Sequence, residues 1–296
     1  MSIVDPSTIG PDGPDPAAAR PVPAIGTWVG PATEPARYAL LERVGNGGEG
    51  ELWRARRVEL DGRPGDVVAV KVHRTADRAT LNGIAEQARL LSGVPRDRHV
   101  VRVDQVFDGV LTRGGRVVYE DVPVVVMEWI DGSSPAALLE EEDVSVAARL
   151  SWIAQLATAV DTLHHGTPPL VHADIKPGNL LVDRAGRLVL VDTGAVARAG
   201  DGETRRPLHS AGWAAPEVRS RPRAGRSTES DLYSVGAVAY FLLTGERPVP
   251  EVDGEPLRES AQEQRARMRR TLLATGVVPR RRGVTRSGYE HERFRD

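Results

Sequence analysis

At 296 residues and 40% hydrophobic content, the chain is long enough for one large domain or two lobes around a sizeable core. A formal net charge of −2 excludes a chain that is, as a whole, an electrostatic magnet for nucleic acid or anionic lipid. The absence of cysteine excludes disulfides, thiolate metal sites and cysteine nucleophiles.

Residues 1–35 are rich in Pro, Gly and Ala and show neither helical nor strand periodicity, so we read them as a disordered leader. Its start, "MSIVDPSTIGPDGPDP", has no basic segment and no continuous apolar stretch, and no signal peptide is read there. From Tyr38 to about Trp129 the pattern is mostly of strands. "YALLERVGNGGEGELWRAR" reads as strand, Gly-rich turn, strand, and "DVVAVKVHR" alternates, with Val68, Val70 and Val72 on one face and Ala69 and Lys71 on the other. One helix interrupts them, from about Arg78 to Leu91, with Leu81, Ile84, Ala88 and Leu91 at helical spacing. "VVRVDQVFDGVL" and "VPVVVMEWI" return to strand character. The first half is thus a twisted antiparallel sheet carrying one helix.

After "IDGSSPAALLE" the chain turns mainly helical, giving an α+β chain overall. "VSVAARLSWIAQLATAVDTLHH" places Leu150, Ile153, Ala157, Val160 and His164 along one stripe. "NLLVDRAGRLVLVD" is the exception, a hairpin turning at Asp183 to Gly186. The apolar run around "SVGAVAYFLLTG" is shorter than the roughly 18–20 residues that span a bilayer, and reads as a buried helix. No membrane span is expected, and a cytoplasmic location is the default. Residues 265–296 carry ten Arg against Glu290, Glu292 and Asp296. A solvated basic helix and tail is the ordinary reading and a nucleic-acid or anionic-lipid patch the sharper alternative; few aromatics stand there to stack on bases, so no nucleic-acid partner is expected.

Three features carry chemistry. "GNGGEG", Gly45 to Gly50, lies between two strands, which favours a phosphate-cradling hairpin over the strand-to-helix turn of a dinucleotide fold. Lys71 stands on an apolar strand, where it either pairs with Glu86 of the single helix or extends to solvent. In "LVHADIKPGNLLV" and "LVDTG", the carboxylates of Asp174 and Asp192 and the amide of Asn179 offer hard oxygen ligands suited to Mg²⁺. Glycine hairpin, lysine and oxygen cluster together describe a nucleoside triphosphate site.

In this order and spacing the chain resembles the protein kinase family, over about Tyr38 to Pro248. "GNGGEGEL" is similar to its Gly-rich loop, "VAVK" to its strand lysine, "HADIKPGN" to its catalytic loop and "DTG" to its DFG position. "AAPE" resembles its APE motif and "SDLYSVG" the start of its buried F helix, the Lys and Asn of "DIKPGN" resemble the serine/threonine branch, and the Arg-, Ala- and Gly-rich, cysteine-free composition suggests a bacterial type. The resemblance implies a bilobal kinase-like fold: residues 1–35 as leader, 36–130 as N-lobe and hinge, 131–280 as C-lobe and 281–296 as basic tail. It also implies ATP and Mg²⁺ (with Mn²⁺ as an alternative metal) and protein substrates phosphorylated on Ser or Thr.

Residue by residue, Lys71 is expected on the α- and β-phosphates with Glu86 as partner, and Asp174 on the substrate hydroxyl. Lys176 is expected to neutralise the transferring phosphoryl, Asn179 and Asp192 to hold the metal, and Ser210 to support Asp174 and Lys176. Around the nucleotide stand Gly45, Asn46, Gly47, Gly48, Gly50, Leu52 and Ala69, with Met127 as gatekeeper and the backbone of Glu128 and Ile130 on adenine. The sequence departs from the family pattern in places. Ala173 replaces the usual arginine, so a phosphate on Thr204 lacks its usual partner; Thr193 replaces the DFG phenylalanine; and the lobe after "GERPVP" is shortened or divergent. A pseudokinase scaffold or a kinase-fold small-molecule phosphotransferase are the alternatives.

Overall fold

The computed structural model describes residues 23–47, 50–74, 78–141, 143–201, 212–220, 226–248, 251–252, 255–256 and 261–275. It divides into two compact units, Met1–Arg89 with Arg102–Trp129, and Leu90–Val101 with Ile130–Asp296.

The first unit is built on six strands: β1 (Thr27–Pro31), β2 (Tyr38–Gly47), β3 (Gly50–Val58), β4 (Pro64–His73), β5 (Val103–Arg113) and β6 (Arg116–Glu128). They close into a barrel in the order β1, β2, β3, β4, β6, β5 and back to β1. Strand alternation explains the closure. Val68, Val70 and Val72 of β4 turn inward as their spacing predicts and meet Tyr38, Leu40, Trp53, Leu111, Val122, Val124 and Val126 in one apolar interior. A sheet with so apolar a face must cover it, and here it does so by curling on itself. The helix α1 (Arg78–Ser92) begins in this unit.

Strand β1 corrects the expectation of a leader running to residue 35. Val29 is fully buried in the barrel, and β1 pairs with β5 from Thr27 opposite Arg113 to Pro31 opposite Gly109. On its other edge Trp28 and Val29 face Ala39 and Tyr38 of β2. "TWVGP" is too short to show periodicity against its Pro- and Gly-rich surroundings, yet two open sheet edges satisfy its backbone on both sides. Gly30 is required, because a Cβ there would run into the Glu34 carbonyl. The expected antiparallel sheet is therefore a closed barrel.

The second unit contains β7 (Gly132–Ser133), α2 (Pro135–Glu141), α3 (Val146–His164), β8 (Leu170–Val171), β9 (Leu180–Asp183), β10 (Leu188–Leu190), β11 (Ala197–Arg198), α4 (Pro216–Ser220), α5 (Thr228–Thr244) and α6 (Ala261–Ala274). Its core gathers Trp152, Leu156, Leu163, Leu180, Leu188, Leu190, Val238 and Leu242. The apolar face of α3 is rotated from the stripe read in the sequence. Trp152, Leu156, Ala159, Val160 and Leu163 are buried, while Leu150 is 47% exposed. The bulky Trp152 and Leu156 set the phase that the smaller Ala157 suggested otherwise.

Ser145 caps α3 by accepting from the Ala148 N–H. Ser227 and Ser230 form a reciprocal capping box at the start of α5, and Gly245 ends that helix in the left-handed conformation. Among the described residues no helix is long and apolar enough to cross a membrane.

Candidate active site

In the second unit, two small sheets frame one loop. β8 pairs with β11, and β9 pairs with β10 and β7, so the segment from His172 to Asn179 leaves one sheet and enters the other. Apolar side chains anchor it: Ile175 is 1% exposed and Pro177 is buried at the start of a single 3-10 turn, Pro177–Asn179. The polar residues between these anchors are consequently held out of the core and towards one another.

Their geometry is tight. Lys176 Nζ donates to Asp174 Oδ2 at 2.7 Å. Asn179 Nδ2 donates to the same Oδ2 at 3.0 Å and to the Asp174 carbonyl at 2.8 Å. With its amide nitrogen so committed, Asn179 has its amide oxygen as the acceptor left for a cation. The Val191 N–H donates to the Asn179 carbonyl at 2.8 Å, which sets Asp192 just beyond this contact, with φ of 59°. The structure thus brings Asp174, Lys176 and Asn179 into direct contact, with the backbone just before Asp192 hydrogen-bonded to Asn179.

Beneath the loop stands Asp231 of α5, 1% exposed. Its Oδ2 accepts from the His172 N–H at 2.7 Å and its Oδ1 from the Ala173 N–H at 2.9 Å. His164 Nε2 of α3 lies 3.1 Å from Oδ2. Ala173 sits at φ of 65°, a left-handed conformation that costs a non-glycine residue about 1–2 kcal/mol. Two charge-assisted bonds from one buried carboxylate hold it there. The motif "SDLYSVG" places Asp231 on a buried helix without giving it a task; a carboxylate within so apolar a helix is the available signal. Burial holds the His172 imidazole below its ordinary value, against the pull of Asp231, Asp174 and Asp192.

The first unit carries the other expected residues. Lys71 on β4 is half-buried, opposite Leu52 of β3 and Val125 of β6, while Ala69 faces Met127, both nearly buried. Lys71, Leu52 and Ala69 therefore belong to the outer face of the barrel wall. Gly50 closes the Gly-rich hairpin opposite Gly47, and a Cβ on it would meet the Val72 carbonyl. Val44, 42% exposed just before Gly45, adds an apolar side chain at the hairpin root that no motif in the sequence marks.

Glu86 of α1 is half-exposed and lies 3.6 Å from Arg89. The Glu128 N–H is committed to the Arg102 carbonyl at 3.0 Å, so an adenine contact by Glu128 rests on its carbonyl. Ile130 is buried, in the second unit. Gly48, Thr204 and Ser210 lie outside the described residues.

The glycine hairpin and the lysine strand lie on the first unit, and the loop cluster of Asp174, Lys176 and Asn179 on the second. The protein kinase domain model matches residues 38–287. The chain is 32% identical over 230 residues to serine/threonine-protein kinase PknK of Mycobacterium bovis, covering 74% of this chain and 19% of that protein. It is 30% identical over 220 residues to serine/threonine-protein kinase PknA of Mycobacterium tuberculosis, covering 72% and 48%. A similar match, 30% over 232 residues, links it to serine/threonine-protein kinase A of Synechocystis, covering 72% and 41%. The chain belongs to the protein kinase family, in its bacterial, eukaryotic-like serine/threonine group. It spans less than half the length of each of these relatives.

Proposed function

We propose that the chain transfers the γ-phosphoryl group of ATP to serine or threonine hydroxyls of proteins. The observation that carries this reading is the Asp174 carboxylate, bonded by both Lys176 and Asn179 within one anchored loop. In this reading Asp174 Oδ1 or Oδ2 accepts the proton of the attacking hydroxyl. Lys176, already 2.7 Å from it, places positive charge where the transferring phosphoryl accumulates negative charge. Lys71 meets the α- and β-phosphates with Glu86 as its partner.

The donor set fits magnesium. Asp192 and the Asn179 amide oxygen are hard ligands, and magnesium asks for one or two carboxylates with the remaining positions on phosphate and water. Bound there, magnesium supplies charge that neutralises the phosphates. Leu52, Ala69, Met127 and the exposed Val44 give an adenine ring apolar neighbours, with the Glu128 carbonyl for its polar edge, and Gly45, Asn46, Gly47 and Gly50 are the hairpin residues for the phosphates. Cytoplasmic placement belongs to the same proposal.

Incubation of the chain with γ-labelled ATP and Mg²⁺, a generic basic protein and a panel of hydroxylated small molecules tests it. Label on protein Ser or Thr is the expected result. Label confined to small molecules assigns a small-molecule phosphotransferase, and nucleotide binding without transfer assigns a scaffold.

A further inference from the structure

On β3, Trp53 and Ala55 point into the barrel, and Glu51 lies on the same face two residues earlier, at the end of the interior, 1% exposed. An apolar interior is a costly place for a carboxylate, and an apolar residue of similar size would avoid that cost. Packing alone therefore does not ask for Glu51.

What its carboxylate joins is specific. Arg74 Nη2 donates to Oε1 at 3.4 Å, and Arg43 Nη1 stands 3.9 Å from the same oxygen. Arg43 is the last β2 residue before a bulge: it faces Trp53, whereas past the bulge Gly45 faces Leu52 and Asn46 faces Glu51 itself. On the other side Glu51 faces Val72 of β4, and Arg74 follows the end of that strand. One buried carboxylate thus ties β2 before its bulge, β3, and the exit of β4, all directly under the Gly-rich hairpin.

A bulge is where register can slip, and a slip of one residue turns the backbone N–H groups beyond it to the opposite side. We infer that Glu51 is a positioning residue that fixes the register of the Gly45 to Gly50 hairpin, and through it the affinity for the triphosphate. This inference rests on the nucleotide reading given above.

The test compares the full chain as wild type, Glu51→Gln and Glu51→Leu for ATP KM, kcat and thermal unfolding. Positioning predicts an ATP KM raised about tenfold in both variants, the scale of removing one charge-assisted hydrogen bond. It predicts kcat within about twofold of wild type, since the loop chemistry is untouched. Glu51→Leu is expected to melt at or above the wild-type temperature. An unchanged KM in Glu51→Gln overturns the role, as does a KM that rises only in step with a falling melting temperature. Should Glu51→Leu not fold, the isosteric Glu51→Gln decides. Wild-type protein that neither binds nor turns over ATP overturns the nucleotide reading and the positioning role with it, whereas active wild type matched by Glu51→Gln overturns the positioning role alone.

Discussion

Asp231 shows how much of the His172 to Asn179 loop depends on a residue outside it. Replacing it by Ala leaves the buried His172 N–H and the half-buried Ala173 N–H without their acceptor, at about 1–3 kcal/mol for the buried donor and less for the other. Chemical denaturation should show that loss, and phosphoryl transfer should fall with it because Ala173 is released from its strained conformation just before Asp174. Asp231→Asn, which keeps one acceptor oxygen, should lie between.

His172 carries a pH prediction. Its folded-state pKa lies below the ordinary 6.5, so in acid the unfolded chain takes up a proton that the folded one refuses. Its contribution to stability is therefore full above about pH 6.5 and is lost as the pH falls below that value. Unfolding followed from pH 7 to 5 should show the decline, and His172→Phe should flatten it. The contacts among Asp174, Lys176 and Asn179 are legible from sequence because short, fixed spacings bring these residues together on one loop. Asp231 and Glu51 are not, because the partners that give each a task are distant in sequence or separated by a bulge.

Among the elements, β1 departs most from what its sequence suggests. Composition marks residues 23–35 as tail, and only the paired edges of β2 and β5 make Thr27–Pro31 a strand, a condition no local pattern contains. Val29→Asp places an unpaired carboxylate in the barrel interior and should cost about 3 kcal/mol or more. A chain starting at Tyr38, where the family model begins, should likewise melt well below one starting at residue 23. Equal melting temperatures would show that the barrel does not need its closing strand. By contrast, β4 is readable in full, since strict alternation places Val68, Val70 and Val72 on one face whatever surrounds them. The α3 stripe is readable as a helix but not in phase, because its apolar residues run nearly all round and bulk, not spacing, decides which side is buried.

For the molecule as a whole, the order of motifs along the chain carries the kinase fold, while the barrel closure comes from pairing between segments far apart in sequence. Ala173 offers no guanidinium to an activation-segment phosphate. Activity is accordingly expected to survive Thr204→Ala, measured as phosphoryl transfer under the conditions used for wild type; loss of activity would contradict that independence.

The most direct measurement is of ATP affinity and phosphoryl transfer side by side in wild type and Asp174→Asn. ATP affinity should stay within about twofold, because Asn keeps the size of the side chain, and transfer should fall by about 100-fold or more, because the general base is gone. Transfer by Asp174→Asn at the wild-type rate would show that Asp174 is not the base.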